Sequence, residues 1–107
     1  MRLASALSIH RGDVVAFVGG GGKTTTMFAL ARELVADGWR VLTTTTTMIA
    51  PPRPEDGSFL VLAPGQRQAC RQVELALREQ KHVTLATEHL VEQNKLRGVP
   101  PEWIPVL

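Results

Sequence analysis

Gly19, Gly20, Gly21 and Gly22, followed by Lys23, Thr24 and Thr25, are the residues of this chain best suited to chemistry. A phosphate group needs several donors converging on it and an approach free of side chains. Glycines after a strand let the backbone turn tightly and present consecutive N–H groups, and the N-terminal end of the following helix adds positive field. A lysine next in line reaches the outer phosphates, and the adjacent hydroxyl coordinates Mg2+. Gly19–Gly22, Lys23, Thr24 and Thr25 are therefore the expected nucleotide-binding residues. Lys23 and Thr24 form the expected catalytic pair, with Thr24 as the metal ligand. The expected ligands are ATP or GTP with Mg2+.

The spacing departs from the usual G-x-x-x-x-G-K-[ST] loop. With Gly22-Lys23-Thr24 aligned, the first glycine falls on Phe17, and the additional lysine of a variant loop falls on Val18. Both residues read as the end of a strand, so the loop is expected to be tighter than standard. A dinucleotide fingerprint competes for the same glycines. It needs a small residue at position 24, which is Thr24, and an acid at the end of the second strand, where threonines stand. A plain glycine turn between strand and helix is the remaining reading.

The run Thr43–Thr47 is the second group of interest. Threonine is β-branched and suits a strand, whereas ligands of open α/β sheets sit beyond the carboxyl ends of the strands. Thr45 to Thr47 should then face the same crevice as Lys23. Thr45 and Thr46 are the expected binding residues, with hydroxyls for a phosphate oxygen or a metal-bound water. A triphosphate-hydrolysing site usually adds an acid at the end of another apolar strand. Glu88, just past Ala86, is the one candidate, and its short, half-polar strand favours a solvated glutamate. Asp56 reads as exposed in a proline loop. His10, His82 and His89 lack paired spacing and read as surface or boundary residues. Cys70, among Ala69, Val73 and Leu77, reads as a buried packing residue.

These groups need a layered scaffold. Leu3 to Ile9 predicts a short lead-in helix, and Val14–Val18 a strand buried on both faces. Met27, Leu30, Ala31 and Leu34 share one face of a helix from Thr24 to about Asp37, stopped by Gly38. A second strand begins at Val41 and ends in the threonines, giving a parallel βαβ unit. Pro51, Pro52, Pro54 and Gly57 predict a loop without regular structure. Phe59–Leu62 is a third strand, and residues 65–80 form a helix with Ala69, Val73, Ala76 and Leu77 inward and Glu74–Arg78 as an i, i+4 pair. His82–Ala86 is a fourth strand, after which the chain shows no clear period and ends in a proline-rich tail. The order predicts an α/β fold over residues 1–107, a single P-loop NTPase-like domain with a parallel sheet flanked by helices. A chain of 107 residues is short for a sheet covered on both faces, so the layers are expected to be incomplete.

Composition narrows the function. A formal charge of +2, basic and acidic residues interleaved, and five Phe and Trp with no Tyr leave no stacking platform, so nucleic acid is not an expected partner. No apolar run is long enough to cross a bilayer, so neither is a membrane. One cysteine excludes an internal disulfide, and a cytoplasmic location is expected. A homodimer covering an exposed sheet edge would suit so short a chain.

The segments VAFVGGGGKTTT, ELVADGWRVL, TTTTTM and NKLRG, with PEW following, resemble the amino-terminal part of the YqeC family over essentially the whole chain. The resemblance implies an accessory protein of selenium-dependent molybdenum hydroxylases, acting in selenium or molybdenum cofactor biosynthesis. Its expected partners are a molybdenum hydroxylase or cofactor-assembly proteins. By position, Gly19–Gly22, Lys23 and Thr24 match the family's nucleotide loop, and Thr43–Thr46 its threonine signature. Lys95, Leu96 and Gly98 match a K-L-x-G element to which the residues alone attach no role. Family members are longer, and their acidic strand lies past the equivalent of Leu107. The resemblance therefore implies the amino-terminal portion of a longer domain, with nucleotide binding expected and hydrolysis near background. A small-molecule kinase and a non-catalytic interaction module are the alternatives.

Overall fold

The apolar runs fold as strands and the amphipathic stretches as helices in the computed structural model, which describes residues 14–19 and 24–107. Of Gly19, Thr24 and Thr25 it describes the backbone alone. The expected lead-in helix, His10, and Gly20, Gly21, Gly22 and Lys23 lie outside the described residues. The elements are β1 (Val14–Gly19), α1 (Thr24–Ala36), β2 (Arg40–Thr45), β3 (Phe59–Leu62), α2 (Gln66–Glu79) and β4 (His82–Ala86). The four strands form one parallel sheet in the order β1-β2-β4-β3.

Strand periodicity divides the core between two faces. Val15, Phe17 and Val41 point to one side and pack with Met27, Phe28, Ala31 and Leu34 of α1. Leu42, Val61, Val83 and Leu85 point to the other and pack with Ala69, Val73 and Leu77 of α2. Each fully buried side chain of this size contributes about 1.5–3 kcal/mol relative to exposure. A one-residue slip of β2 would exchange Val41 and Leu42 between faces, which is why the register is specified. The layers are helix, sheet, helix.

Local signals set the helix ends. Gly38 has a φ of +94°, its N–H donates to Val35 O, and Trp39 N–H donates to Leu34 O. This pattern satisfies the last carbonyls of α1, and Trp39 packs in the same cluster as Leu34. On α2, Arg78 and Glu74 pair as expected at 3.3 Å, while Cys70 is half-buried rather than inside the core. Cys70 lies at the lip of an apolar groove of about 360 Å3 bounded by Val14, Ala16 and Leu42. Val14 in this groove and Val18 further along β1 remain 39% and 47% exposed, so α2 covers the sheet only as far as β2.

Three segments differ from the expectation. Pro54–Asp56 forms a 3-10 turn within the proline loop, closed by Gly57 at φ +63°. After β4 the chain makes an antiparallel hairpin, β5 (Glu88–Leu90) with β6 (Lys95–Arg97), turning through Asn94 at φ 48°. Strands of three residues are too short to show a period. Pro101–Val106 is a 3-10 helix whose Trp103 is buried in the α2-side core. The proline-rich tail is thus part of the fold.

Candidate functional site

The carboxyl edge of the sheet gathers the groups that could bind a ligand. In the β1–β2 ladder Gly19 is the register partner of Thr45. Because β1 ends at Gly19 and α1 begins at Thr24, residues 20–23 join a strand end to a helix start. The run of threonines divides by burial. Thr43, Thr44 and Thr45 are fully buried, and Thr46 and Thr47 are exposed. Thr44 Oγ1 donates to Leu85 O at 2.9 Å, tying β2 to β4. Thr45 Oγ1 accepts from Thr47 N at 3.1 Å and lies 3.1 Å from Thr47 Oγ1, so the chain bends sharply as it leaves the strand. Thr43 and Thr44 hold the sheet, Thr45 stands beside the start of the glycine loop, and Thr46 opens onto a cavity.

The K-L-x-G element now has a structural role. Leu96 is fully buried and exchanges both backbone hydrogen bonds with Ile49, N→O at 2.7 Å and O←N at 3.0 Å. Val99 N donates to Thr45 O at 2.7 Å. Between them Gly98 lies flat on the threonine turn. A Cβ added there would stand 2.8 Å from Thr46 C and nearer still to the carbonyl oxygens of Thr45 and Thr47. Only glycine permits this approach. Residues 96–99 therefore form a strap that clamps the end of β2, while Lys95 at the start of β6 is exposed.

The strap also walls a cavity of about 650 Å3 beyond β2, β3 and β4, reached by Thr46, Pro64, Thr87, Glu88 and Arg97. Thr87 Oγ1 donates towards Arg97 O and Gly98 O, at 3.2 and 3.1 Å. Glu88 is exposed, as its sequence context suggests, and its Oε1 is 2.9 Å from Arg97 Nε. The strand before it, β4, is buried throughout rather than half-solvated. Among the described residues no group of His, Cys, Asp and Glu is arranged to hold a metal ion.

Two expectations are corrected on the α1 side of the sheet. Asp56 is only 5% exposed; its Oδ1 lies 3.1 Å from Arg32 Nη1 and its Oδ2 accepts from Arg53 N at 2.9 Å. The prolines place the turn against α1, so this carboxylate caps the turn and pins it to the helix. His82 is 3% exposed, not at the surface. It is paired with Val41 and shares the α1 face, where its ring tilts against Phe28 at 5.8 Å. Nε2 is 3.0 Å from Thr43 Oγ1, which is 2.7 Å from Thr84 Oγ1, and Thr84 in turn bonds Ser58 Oγ. Nδ1 has no partner in bonding geometry among the described residues. Burial pushes the imidazole pKa below its ordinary value, and the Asp56 backbone and carboxylate oppose this only in part. His89 is exposed and bonds Asn94.

The signal for His82 is visible afterwards, because His82, Thr84 and Ala86 alternate with Val83 and Leu85. Arg97 carried no signal beyond its place inside the K-L-x-G element.

A parallel sheet with helices on both faces, and Gly19 paired with Thr45 at its carboxyl edge, defines a three-layer α/β protein of open-sheet type. The model of the YqeC protein family matches residues 15–107, and the chain belongs to the YqeC family. No curated protein and no solved structure matches it. Among the described residues no helix is long and apolar enough to cross a membrane.

Proposed function

We propose that this chain binds a nucleoside triphosphate, ATP or GTP with Mg2+, through the glycine loop, and serves as an accessory protein in selenium or molybdenum cofactor maturation. The observation that carries the binding half is the pairing of Gly19 with Thr45 at the carboxyl edge, with a helix beginning five residues on at Thr24. Strand, glycine run and helix start follow in the order a phosphate cradle needs. Backbone N–H groups of Gly19–Gly22 would hold the phosphates, Lys23 the outer charge, Thr24 the metal, and Thr45 and Thr46 the far side of the crevice. The accessory role is drawn from membership of the YqeC family.

Titration calorimetry with Mg-ATP and Mg-GTP tests the binding half on the wild type and on Lys23→Ala. The expected result is saturable binding to the wild type that the variant loses. Equal absence of binding in both proteins refutes it. Hydrolysis is expected at background, since Glu88, the acid that follows β4 at the carboxyl edge, is engaged by Arg97. Turnover that vanishes in Lys23→Ala would show that the chain has another way to hold the metal.

A further inference from the structure

We propose that the cavity beyond β2, β3 and β4 is a second binding site, which takes a small oxyanion-bearing molecule on Arg97. The nucleotide reading enters only in making this ligand a second one. The site would exist without it.

Position is the first argument. The cavity lies where open α/β sheets take their ligands, past the carboxyl ends of three strands. Its volume, about 650 Å3, suits a small metabolite. Thr46 on its rim follows directly on Thr45, the partner of Gly19, so a molecule here would sit one residue from the glycine-loop crevice.

Chemistry is the second. Arg97 Nε is paired with Glu88, and the Nη groups meet no acceptor among the described residues. A guanidinium with donors to spare matches a carboxylate or phosphate through a two-point fork. Pro64, Val99 and Pro100 give the cavity an apolar wall. Glu88 opposes an anion, so the pair sets the affinity from both directions.

The third argument is construction. The wall is the strap itself, held by Leu96 to Ile49 and by Val99 to Thr45, and Gly98 lets it sit on the threonine turn. Arg97 is thereby carried on a segment fixed at both of its neighbours.

The test uses the full chain carrying Lys23→Ala, which removes the main cation of the glycine loop. Inorganic phosphate and succinate are titrated separately at constant ionic strength, and 1H–15N shifts are followed. The expected result is saturable movement of the Thr46, Thr87, Gly98 and Val99 amides with at least one probe. The stronger arm identifies a phosphate or a carboxylate ligand. Adding Arg97→Ala should weaken that binding about tenfold, the usual weight of one charge-assisted hydrogen bond. Adding Glu88→Gln should strengthen it severalfold. Both side chains are more than half exposed, so neither change threatens the fold. Absence of saturable shifts with both probes overturns the proposal, as does any outcome in which the two substitutions fail to act in opposite directions. Because Lys23 is already absent, such a failure leaves the Mg-nucleotide titrations of the wild type to be judged separately.

Discussion

Replacing Gly98 by alanine puts the clamp on the threonine turn to a quantitative test. The added methyl has backbone on three sides, at Thr45 O, Thr46 C and Thr47 O, and none of these can swing away as a side-chain tip would. The strap must lift, or the turn must open. Overpacking of this kind costs about 1–3 kcal/mol. Lifting the strap also loosens the 2.7 Å bond from Val99 N to Thr45 O, worth about 1 kcal/mol. The expected loss is therefore about 2–4 kcal/mol. In a domain near 100 residues that lowers Tm by at least about 8 °C. Urea unfolding followed by circular dichroism reads the change as a lower midpoint with an unaltered slope. Gly65→Ala is the internal control. Its Cβ would meet nothing within 4 Å, and its loss at the start of α2 should stay within about 1 kcal/mol. A Gly98→Ala protein within about 0.5 kcal/mol of wild type, the range of ordinary surface changes, would refute the clamp.

The remaining predictions concern buried groups. Asp56→Ala strips Arg53 N of its acceptor and α1 of its anchor, and should cost about 2–4 kcal/mol by urea titration, whereas Arg32→Ala, removing a half-exposed partner, should cost about 1 kcal/mol or less. His82 has a native pKa depressed by burial, so on acidification the unfolded chain takes up the proton first. Stability should thus hold above about pH 6.5 and fall below it by up to about 1.4 kcal/mol per pH unit until the native ring also titrates. His82→Gln should flatten that slope, and an unchanged slope would place its origin elsewhere. Trp103→Ala should cost about 3–5 kcal/mol in thermal or urea unfolding, as expected of a core tryptophan; a near-neutral result would mean that the carboxyl-terminal 3-10 helix is not docked in solution.

Much of the fold was legible because its signals are local. The apolar run at Val14–Val18, the 3.6-residue spacing of Met27, Leu30, Ala31 and Leu34, and Gly38 at the turn are each readable within a few positions. The hairpin of β5 and β6 was not, since three-residue strands carry no usable alternation and depend on Ile49 for part of their pairing. Asp56 was misplaced for a related reason. Its surroundings in the chain are polar and proline-rich, but its burial comes from Arg32, which lies 24 positions earlier.

The candidate site divides in the same way. Residue types alone were enough to select Gly19–Thr25 as the phosphate-binding candidate, because strand, glycines, lysine and hydroxyl lie consecutively and that chemistry is a property of neighbours. The threonine run was visible too, but only the strand order β1-β2-β4-β3 decided what each hydroxyl does. It set Thr43 against His82 and Thr84, gave Thr44 to Leu85, placed Thr45 beside Gly19, and left Thr46 to the cavity. Parallel pairing joins residues some 40 positions apart, and side-chain alternation then assigns each threonine to one face. The same long-range pairing brought Gly98 onto the threonine turn and Arg97 to the cavity wall. Local sequence determined which residues are the candidates for phosphate; the packing of distant segments determined which of the remaining polar groups hold the sheet and which face the cavity.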